Sequence, residues 1–132
     1  ALSITQRIGK VAPLHCTGVG KLFMLGHTRE QLENLYEEKG FAKYTENTIV
    51  TLEQMLEQLD RIRECGYAID NEECEMGIRC IAVPIRDYTG KMVAGLSVSG
   101  PTSRMTSESI REKIPYLFEV VGEISKRLGK KG

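Results

Sequence analysis

Residues 76–100, MGIRCIAVPIRDYTGKMVAGLSVSG, contain the pattern that decides the fold. Two stretches that contain alternating apolar residues, 76–87 and 92–100, are joined through the short segment DYTG (87–90), which is typical of a reverse turn. Because a turn of a few residues joins neighbouring antiparallel strands, the pattern predicts a β-hairpin. A further short strand is expected just before it, over residues 67–71.

Helices are expected on both sides of these strands. Each begins at a threonine or serine that can accept a hydrogen bond from a backbone N–H, and the second and third have capping-box spacing. The expected helices span residues 17–26, 28–39, 51–64 and 106–128. Another strand is expected within residues 1–10, and Pro115 predicts a kink or break in the last helix. This order predicts an α+β domain with helices on a mainly antiparallel sheet.

Length and composition limit the functional classes. The 132 residues suit a single domain, and 18 basic residues balance 18 acidic ones, so a nucleic-acid surface is not expected here. No apolar run approaches the roughly 20 residues of a membrane span, so no membrane partner is expected. Four cysteines without a secretory signal favour reduced thiols and a cytoplasmic location.

The cysteines allow two alternatives that involve chemistry or a metal. The first is zinc, since imidazole, carboxylate and thiolate groups are its ligands. The candidate ligands are His15, Asp70, Cys74 and Cys80, with Cys16 beside the histidine. No C-x-x-C pair supports it, so we expect no cofactor. The second is a small enzyme with Cys80 as nucleophile, His15 as base and Asp70 as orienting acid, although no strained nucleophile elbow surrounds the cysteine.

A binding pocket is the third possibility. Ser97 and Ser99 point to the same face of one strand, where two hydroxyls need partners from the backbone or from a ligand. Asp70 and Cys80 lie on neighbouring strand segments, and backbone N–H groups at a helix start near Gly18 favour an anion. Together they would suit a small polar carboxylate. Local backbone bonding by the serines and tight packing of the glycine remain the alternatives.

Five segments in order resemble the effector-binding domain of the IclR family of bacterial transcription regulators. They are LHCTGVGK (14–21), GYAIDNEE (66–73), GIRCIAVP (77–84), LSVSGP (96–101) and ISKRLG (124–129). The resemblance implies one effector-binding domain over residues 1–132, with a curved, mainly antiparallel sheet and flanking helices, akin to the GAF fold. The family's winged helix-turn-helix DNA-binding domain is expected to be absent from this chain.

The resemblance also implies a site and partners. The expected ligand contacts are Gly18, Val19, Asp70, Ile78, Cys80, Ser97 and Ser99. The expected ligand is a small organic acid, such as a keto acid or sugar-acid metabolite, and no catalytic residue is expected. A homodimer or homotetramer is expected, because a regulator of a two-fold operator needs at least a dimer. DNA would be bound only through the missing domain. A dimerisation module with a vestigial pocket is the remaining alternative.

Overall fold

The computed structural model describes residues 13–129. The elements are α1 (Gly18–Met24), α2 (Arg29–Lys39), α3 (Leu52–Cys65), β1 (Ala68–Asn71), β2 (Ile78–Arg86), β3 (Met92–Pro101) and α4 (Ser107–Arg127). Their order and approximate bounds confirm the α+β prediction, while the strand expected in residues 1–10 lies outside the described residues. Within residues 13–129, no helix is both long and apolar enough to cross a lipid bilayer.

The described strands form an antiparallel sheet in the order β1-β2-β3, which confirms the predicted hairpin. Its turn is closed by the Gly90 N–H, which donates to the Asp87 carbonyl at 3.0 Å. Cys80 pairs with Asp70 on one side and with Ser99 on the other. Directly opposed residues project from the same face of a sheet. The register therefore places these three side chains in one row on a common face.

Side-chain caps and glycines set the ends of the helices. The full capping box is present at α2, where Thr28 and Gln31 exchange hydrogen bonds. At α3 the structure shows the threonine half of the predicted box, in which Thr51 accepts from the Gln54 N–H at 3.3 Å. Gly66 ends α3 with a φ of 84°, in the left-handed region that glycine adopts without strain.

Helix α4 runs unbroken through Pro115, so of the predicted kink or break the break is wrong. Proline removes one backbone hydrogen bond, whose acceptor is the carbonyl four residues earlier. That residue, Arg111, lies on the exposed side of the helix, where water can hydrate the carbonyl. The opposite side buries Leu117 and Val121 against the sheet. The buried packing spans the proline and offsets the missing bond.

The two faces of the sheet pack into separate cores. One face contributes Ala68 and Ala82 to a cluster shared with α1, α2 and α3. The other contributes Ile81 and Val83 to a cluster beneath α4. One side of α3 packs into the first cluster through five apolar side chains: Leu52, Met55, Leu56, Leu59 and Ile62. The candidate site lies at the open end of the first face.

Candidate functional site

Six of the seven expected ligand contacts line one pocket, of about 350 Å³, between the start of α1 and the sheet. Its lining residues are Leu14, Thr17, Gly18, Val19, Gly20, Phe23, Asp70, Cys80, Ser97 and Ser99. Ile78 is not among them. It projects from the same face but lies at the start of β2, opposite Pro101. That these residues contact a ligand stays a prediction.

Close packing explains the glycines on the α1 wall. A Cβ on Gly18 would lie 2.8 Å from the Cβ of Ala82, and one on Gly20 would overlap the Leu14 carbonyl. Both distances are too short for real carbon contacts. The two glycines therefore let the backbone of α1 pack directly against Ala82 of β2 and against the Leu14 carbonyl.

The first turn of α1 presents backbone N–H groups beside the pocket. Thr17 caps the helix, since its hydroxyl accepts from the Gly20 N–H at 3.1 Å and donates to the Pro13 carbonyl at 2.7 Å. The N–H groups of Gly18 and Val19 come earlier, where a helix has no carbonyl to offer them. They are therefore available to donate to an acceptor from outside the helix.

On the sheet wall, the Cys80 thiol sits between a carboxyl and a hydroxyl. Its Sγ lies 2.9 Å from the Ser99 Oγ, and Asp70 is its neighbour on β1. Burial raises the pKa of the Cys80 thiol, and the nearby Asp70 charge raises it further, against the lowering effect of the Ser99 bond. A thiol that stays protonated is a hydrogen-bonding group and a poor nucleophile.

Asp70 is the acidic group of the site. Its side chain is buried, and it accepts a hydrogen bond from the Glu73 N–H at 2.8 Å. Burial raises the pKa of Asp70 and the negative charge of Glu73 adds to that, while the Glu73 N–H and the positive charge of Lys21 oppose it. Asp70 therefore holds its proton to a higher pH than an exposed aspartate does.

A buried ion pair lies beside the pocket, between α1 and the end of β1. The Lys21 Nζ is 2.7 Å and 2.8 Å from the two Glu73 carboxylate oxygens, and it donates to the Ile69 carbonyl at 2.9 Å. Glu73 also accepts from the Asn71 N–H at 2.9 Å. The sequence analysis assigned no partner to Lys21, because no local sequence pattern indicates a pairing between residues 52 positions apart.

Because of this ion pair, the nearby lysine offers no free positive charge to the pocket. The positive charge of Lys21 is satisfied by Glu73, and the ten lining residues include no lysine or arginine. An acidic ligand must therefore be recognised by backbone N–H and hydroxyl groups. The four lining residues that sequence reasoning did not assign to the site are Leu14, Thr17, Gly20 and Phe23. The helix cap at Thr17 was the signal available for two of them.

The geometry of the described residues supports neither the zinc site nor the Cys80 nucleophile with His15 as its base. His15 bonds through Nε2 to the Ala42 carbonyl at 2.8 Å and stacks on Phe41, and it is not a lining residue of the pocket that contains Cys80. Across residues 13–129, no group of three or more His, Cys, Asp or Glu side chains could hold a metal ion. That the protein uses no cofactor stays a prediction.

A larger hollow, of about 590 Å³, lies on the other side of α1. It is lined by residues from α1, α3 and the hairpin, including Phe23, Arg63 and Met92. None of the seven expected contacts lines it. We therefore choose the candidate site by the convergence of polar side chains and backbone N–H groups, and not by cavity volume.

Comparison with known proteins agrees with this geometry. The family model described as "Bacterial transcriptional regulator IclR C-terminal" matches residues 1–126. The chain belongs to this family. The HTH-type transcriptional regulator KdgR of Escherichia coli K12 is 40% identical over 128 residues, covering 97% of this chain and 49% of KdgR. The repressor AllR of Salmonella typhi is 37% identical over 124 residues, covering 94% and 46%.

Solved structures of IclR-type domains extend the comparison. The C-terminal domain of E. coli KdgR superposes with a TM-score of 0.82 at 40% identity, covering 92% of this chain and 74% of that one. The inducer-binding domain of Acinetobacter PobR, solved as a double mutant with 3-hydroxy benzoic acid, gives 0.85 at 27% identity, covering 95% and 74%. The chain spans about half the length of the curated relatives it matches.

Proposed function

We propose that this chain is the effector-sensing part of an IclR-type transcriptional regulator and that its pocket binds a small organic acid. The observation that carries the proposal is the convergence of six expected contacts in one pocket. Its volume of about 350 Å³ lies at the lower end of the roughly 300–1,000 Å³ typical of small-molecule sites. A ligand of few heavy atoms is therefore favoured.

The two walls suggest how such an acid is held. The carboxylate accepts hydrogen bonds from the N–H groups of Gly18 and Val19, which lack helical partners. Ser97 and Ser99, on the opposite wall, meet the keto or hydroxyl oxygens of the ligand. Asp70 repels a carboxylate when ionised, so it accepts from a ligand hydroxyl. A hydroxy acid or a keto acid with hydroxyl groups, such as a sugar acid, is the class that satisfies both walls.

The PobR domain supports this class. Its bound 3-hydroxy benzoic acid carries one carboxyl and one hydroxyl group, which is the pair of functions that the two walls select. For the present chain, a keto acid or sugar-acid metabolite remains the proposed effector.

Regulation requires only that the ligand bind one arrangement of the regulator better than another. We place DNA binding in a separate domain of a longer protein and propose a homodimer or homotetramer as the working assembly, because a two-fold operator is read by paired domains. No chemical step is needed, and the raised pKa of the Cys80 thiol favours binding over nucleophilic catalysis.

Calorimetry tests the site. Wild type, Ser97→Ala and Ser99→Ala are titrated with a panel of keto acids, sugar acids and hydroxybenzoic acids. Because each serine bonds a neutral keto or hydroxyl oxygen, its loss should cost about 0.5–1.5 kcal/mol, or roughly 2- to 10-fold in affinity. Ser103→Ala is the matched control, because Ser103 is exposed and does not line the pocket. Equal binding by wild type and both pocket variants would show that the site lies elsewhere.

A further inference from the structure

Two thiols from distant parts of the chain lie in contact beside the pocket. The Cys16 Sγ and the Cys74 Sγ are 3.3 Å apart, although 58 residues separate them in sequence. A disulfide bond is about 2.05 Å long, so the sulfurs need to approach by only about 1.3 Å. Cys74 lies in the irregular connection between β1 and β2, where such a shift disturbs no ladder of hydrogen bonds.

The neighbours of each cysteine hold the pair in place. Cys16 lies between His15, bonded to the Ala42 carbonyl, and Thr17, bonded to the Pro13 carbonyl. Cys74 follows Glu73, which is fixed by the buried ion pair with Lys21. These anchors keep the sulfurs close without a covalent bond. In a flexible chain, disulfide formation is opposed by the loss of entropy when two distant segments are brought together. Here folding has already brought the segments together, so this loss does not oppose the disulfide.

The other two cysteines are engaged elsewhere. Cys65 is exposed at the end of α3, with its Sγ 3.3 Å from the Tyr67 carbonyl, and Cys80 is bonded to Ser99. The contact between Cys16 and Cys74 is therefore the arrangement that favours one specific pairing.

We propose that Cys16 and Cys74 are a redox modification site that a hydroperoxide converts reversibly to an intramolecular disulfide. The half-buried Cys74 meets the oxidant first, since Cys16 is completely buried. The Cys74 thiolate attacks one peroxide oxygen, so that an S–O bond forms, the O–O bond breaks and one water leaves after protonation. Cys16 then loses its proton and attacks the Cys74 sulfur, so that the S–S bond forms, the S–O bond breaks and the hydroxide leaves as the second water after protonation.

The balance is two thiols and one hydrogen peroxide giving one disulfide and two waters. The two sulfurs together lose two electrons, which reduce the peroxide. Burial raises the pKa of the Cys16 thiol, and its bond to Cys74 adds to that effect, so the second step should quicken as pH rises. The disulfide would tie the segment that precedes the pocket residues Thr17 and Gly18 to the β1–β2 connection.

Peptide mapping of a Cys65→Ser protein tests the proposal. Trypsin would otherwise leave Cys65 and Cys74 in one peptide, residues 64–79, whereas Cys16 lies in residues 11–21 and Cys80 in residues 80–86. After hydrogen peroxide treatment, we expect residues 11–21 cross-linked to residues 64–79 in protein that migrates as a single chain on a non-reducing denaturing gel. Two of the three remaining thiols should be lost. Dithiothreitol should restore both.

The control is the same protein with Cys16→Ala, in which Cys74 should stop at the sulfenic acid, trapped by dimedone. Circular dichroism checks that this control is folded. If it is not, Cys74→Ala replaces it, and there the buried Cys16 should stay reduced. A cross-link between residues 64–79 and 80–86 would overturn the pairing. So would a Cys16 that stays reduced while Cys74 is oxidised further.

Discussion

The two faces of the sheet are made of different side chains, although they share the same strands. Beneath α4 the face consists of branched aliphatic groups, with Ile81 and Val83 fully buried. Beneath α1 the residues that alternate with them are small or polar, such as Cys80, Ala82 and Ser97. The large side chains of the first face fill the space beneath α4, whereas the small side chains of the second face leave room for the backbone of α1 and for the pocket.

The difference follows from what each face packs against. Small side chains at the second face let the backbone of α1 approach β2 at Gly18 and Ala82. Beyond that contact the face opens into the pocket, where the serine hydroxyls are exposed. The α4 face of the sheet therefore contributes large aliphatic side chains to a core, whereas the α1 face lines the candidate site. The following predictions test this division.

The largest effect should come from the buried ion pair beside the pocket. Lys21→Met leaves the Glu73 carboxylate buried without its cation, and it also removes the bond to the Ile69 carbonyl. Breaking one partner of a buried pair costs about 3–5 kcal/mol. Urea unfolding at neutral pH should show that loss of free energy of unfolding.

The double variant Lys21→Met with Glu73→Leu is the control. Replacing both charges by apolar groups removes the uncompensated carboxylate, so a large part of the lost stability should return. A single-variant cost below about 1 kcal/mol, as for an exposed pair, would mean that the ion pair does not anchor this face.

Separating the two faces is the purpose of the next prediction. Ile81→Ala should lower the free energy of unfolding by about 2–5 kcal/mol, because it opens a cavity beneath α4. The affinity of the folded protein for its acid ligand should not change. Ser99→Ala should do the reverse, with weakened binding and little change in unfolding. If Ile81→Ala weakens binding as strongly as Ser99→Ala, the faces are not independent.

Local patterns in the sequence were sufficient to predict the hairpin and the helix starts. The turn at residues 87–90 and the threonine caps act over a few residues, so they are visible in the chain itself. The unbroken α4 was not predictable in this way. Whether Pro115 breaks a helix depends on burial of its neighbours against a sheet that is distant in sequence.

The residues that line the pocket were largely predictable from the sequence, but the electrostatics of the pocket were not. Alternation along β3 placed Ser97 and Ser99 together, and the resemblance to the family added Val19 and Ile78 to the expected contacts. The pairing of Lys21 with Glu73 and the contact of Cys16 with Cys74 both depend on the register of β1 with β2. No local pattern encodes that register, so these contacts could be seen only in the folded structure.

The close approach of α1 to β2 gives a smaller effect. Gly18→Ala places a methyl group 2.8 Å from the Ala82 Cβ, and forcing them apart should cost about 1–3 kcal/mol. Gly122→Ala is the matched control. It lies on the exposed side of α4 with open space around its Cβ position, so it should stabilise the protein by up to about 1 kcal/mol. A neutral Gly18→Ala would show that the pocket wall is not tightly packed.

The smallest effect is the pH dependence that Asp70 contributes. Because burial raises the pKa of Asp70 in the folded protein, the native state keeps a proton that the unfolded chain releases above about pH 4. The free energy of unfolding should therefore fall as pH rises from there through the raised pKa. Asp70→Asn, whose side-chain oxygen still accepts the Glu73 N–H, should gain stability relative to wild type over that range. Urea unfolding in a pH series measures the difference.

Asp87, in the hairpin turn, provides a control of opposite sign. Its Oδ1 accepts from the Thr89 hydroxyl and from the N–H groups of Thr89 and Lys91, and these bonds lower the pKa of Asp87. Its stabilisation is therefore present above the ordinary aspartate pKa and is lost as pH falls through the lowered one. Wild type should lose its advantage over Asp87→Asn on acidification, whereas Asp70→Asn should lose its advantage over wild type. If the stability of wild type minus that of its variant changes in the same direction with pH for both aspartates, the Asp70 carboxyl on the pocket face is not destabilised by its burial.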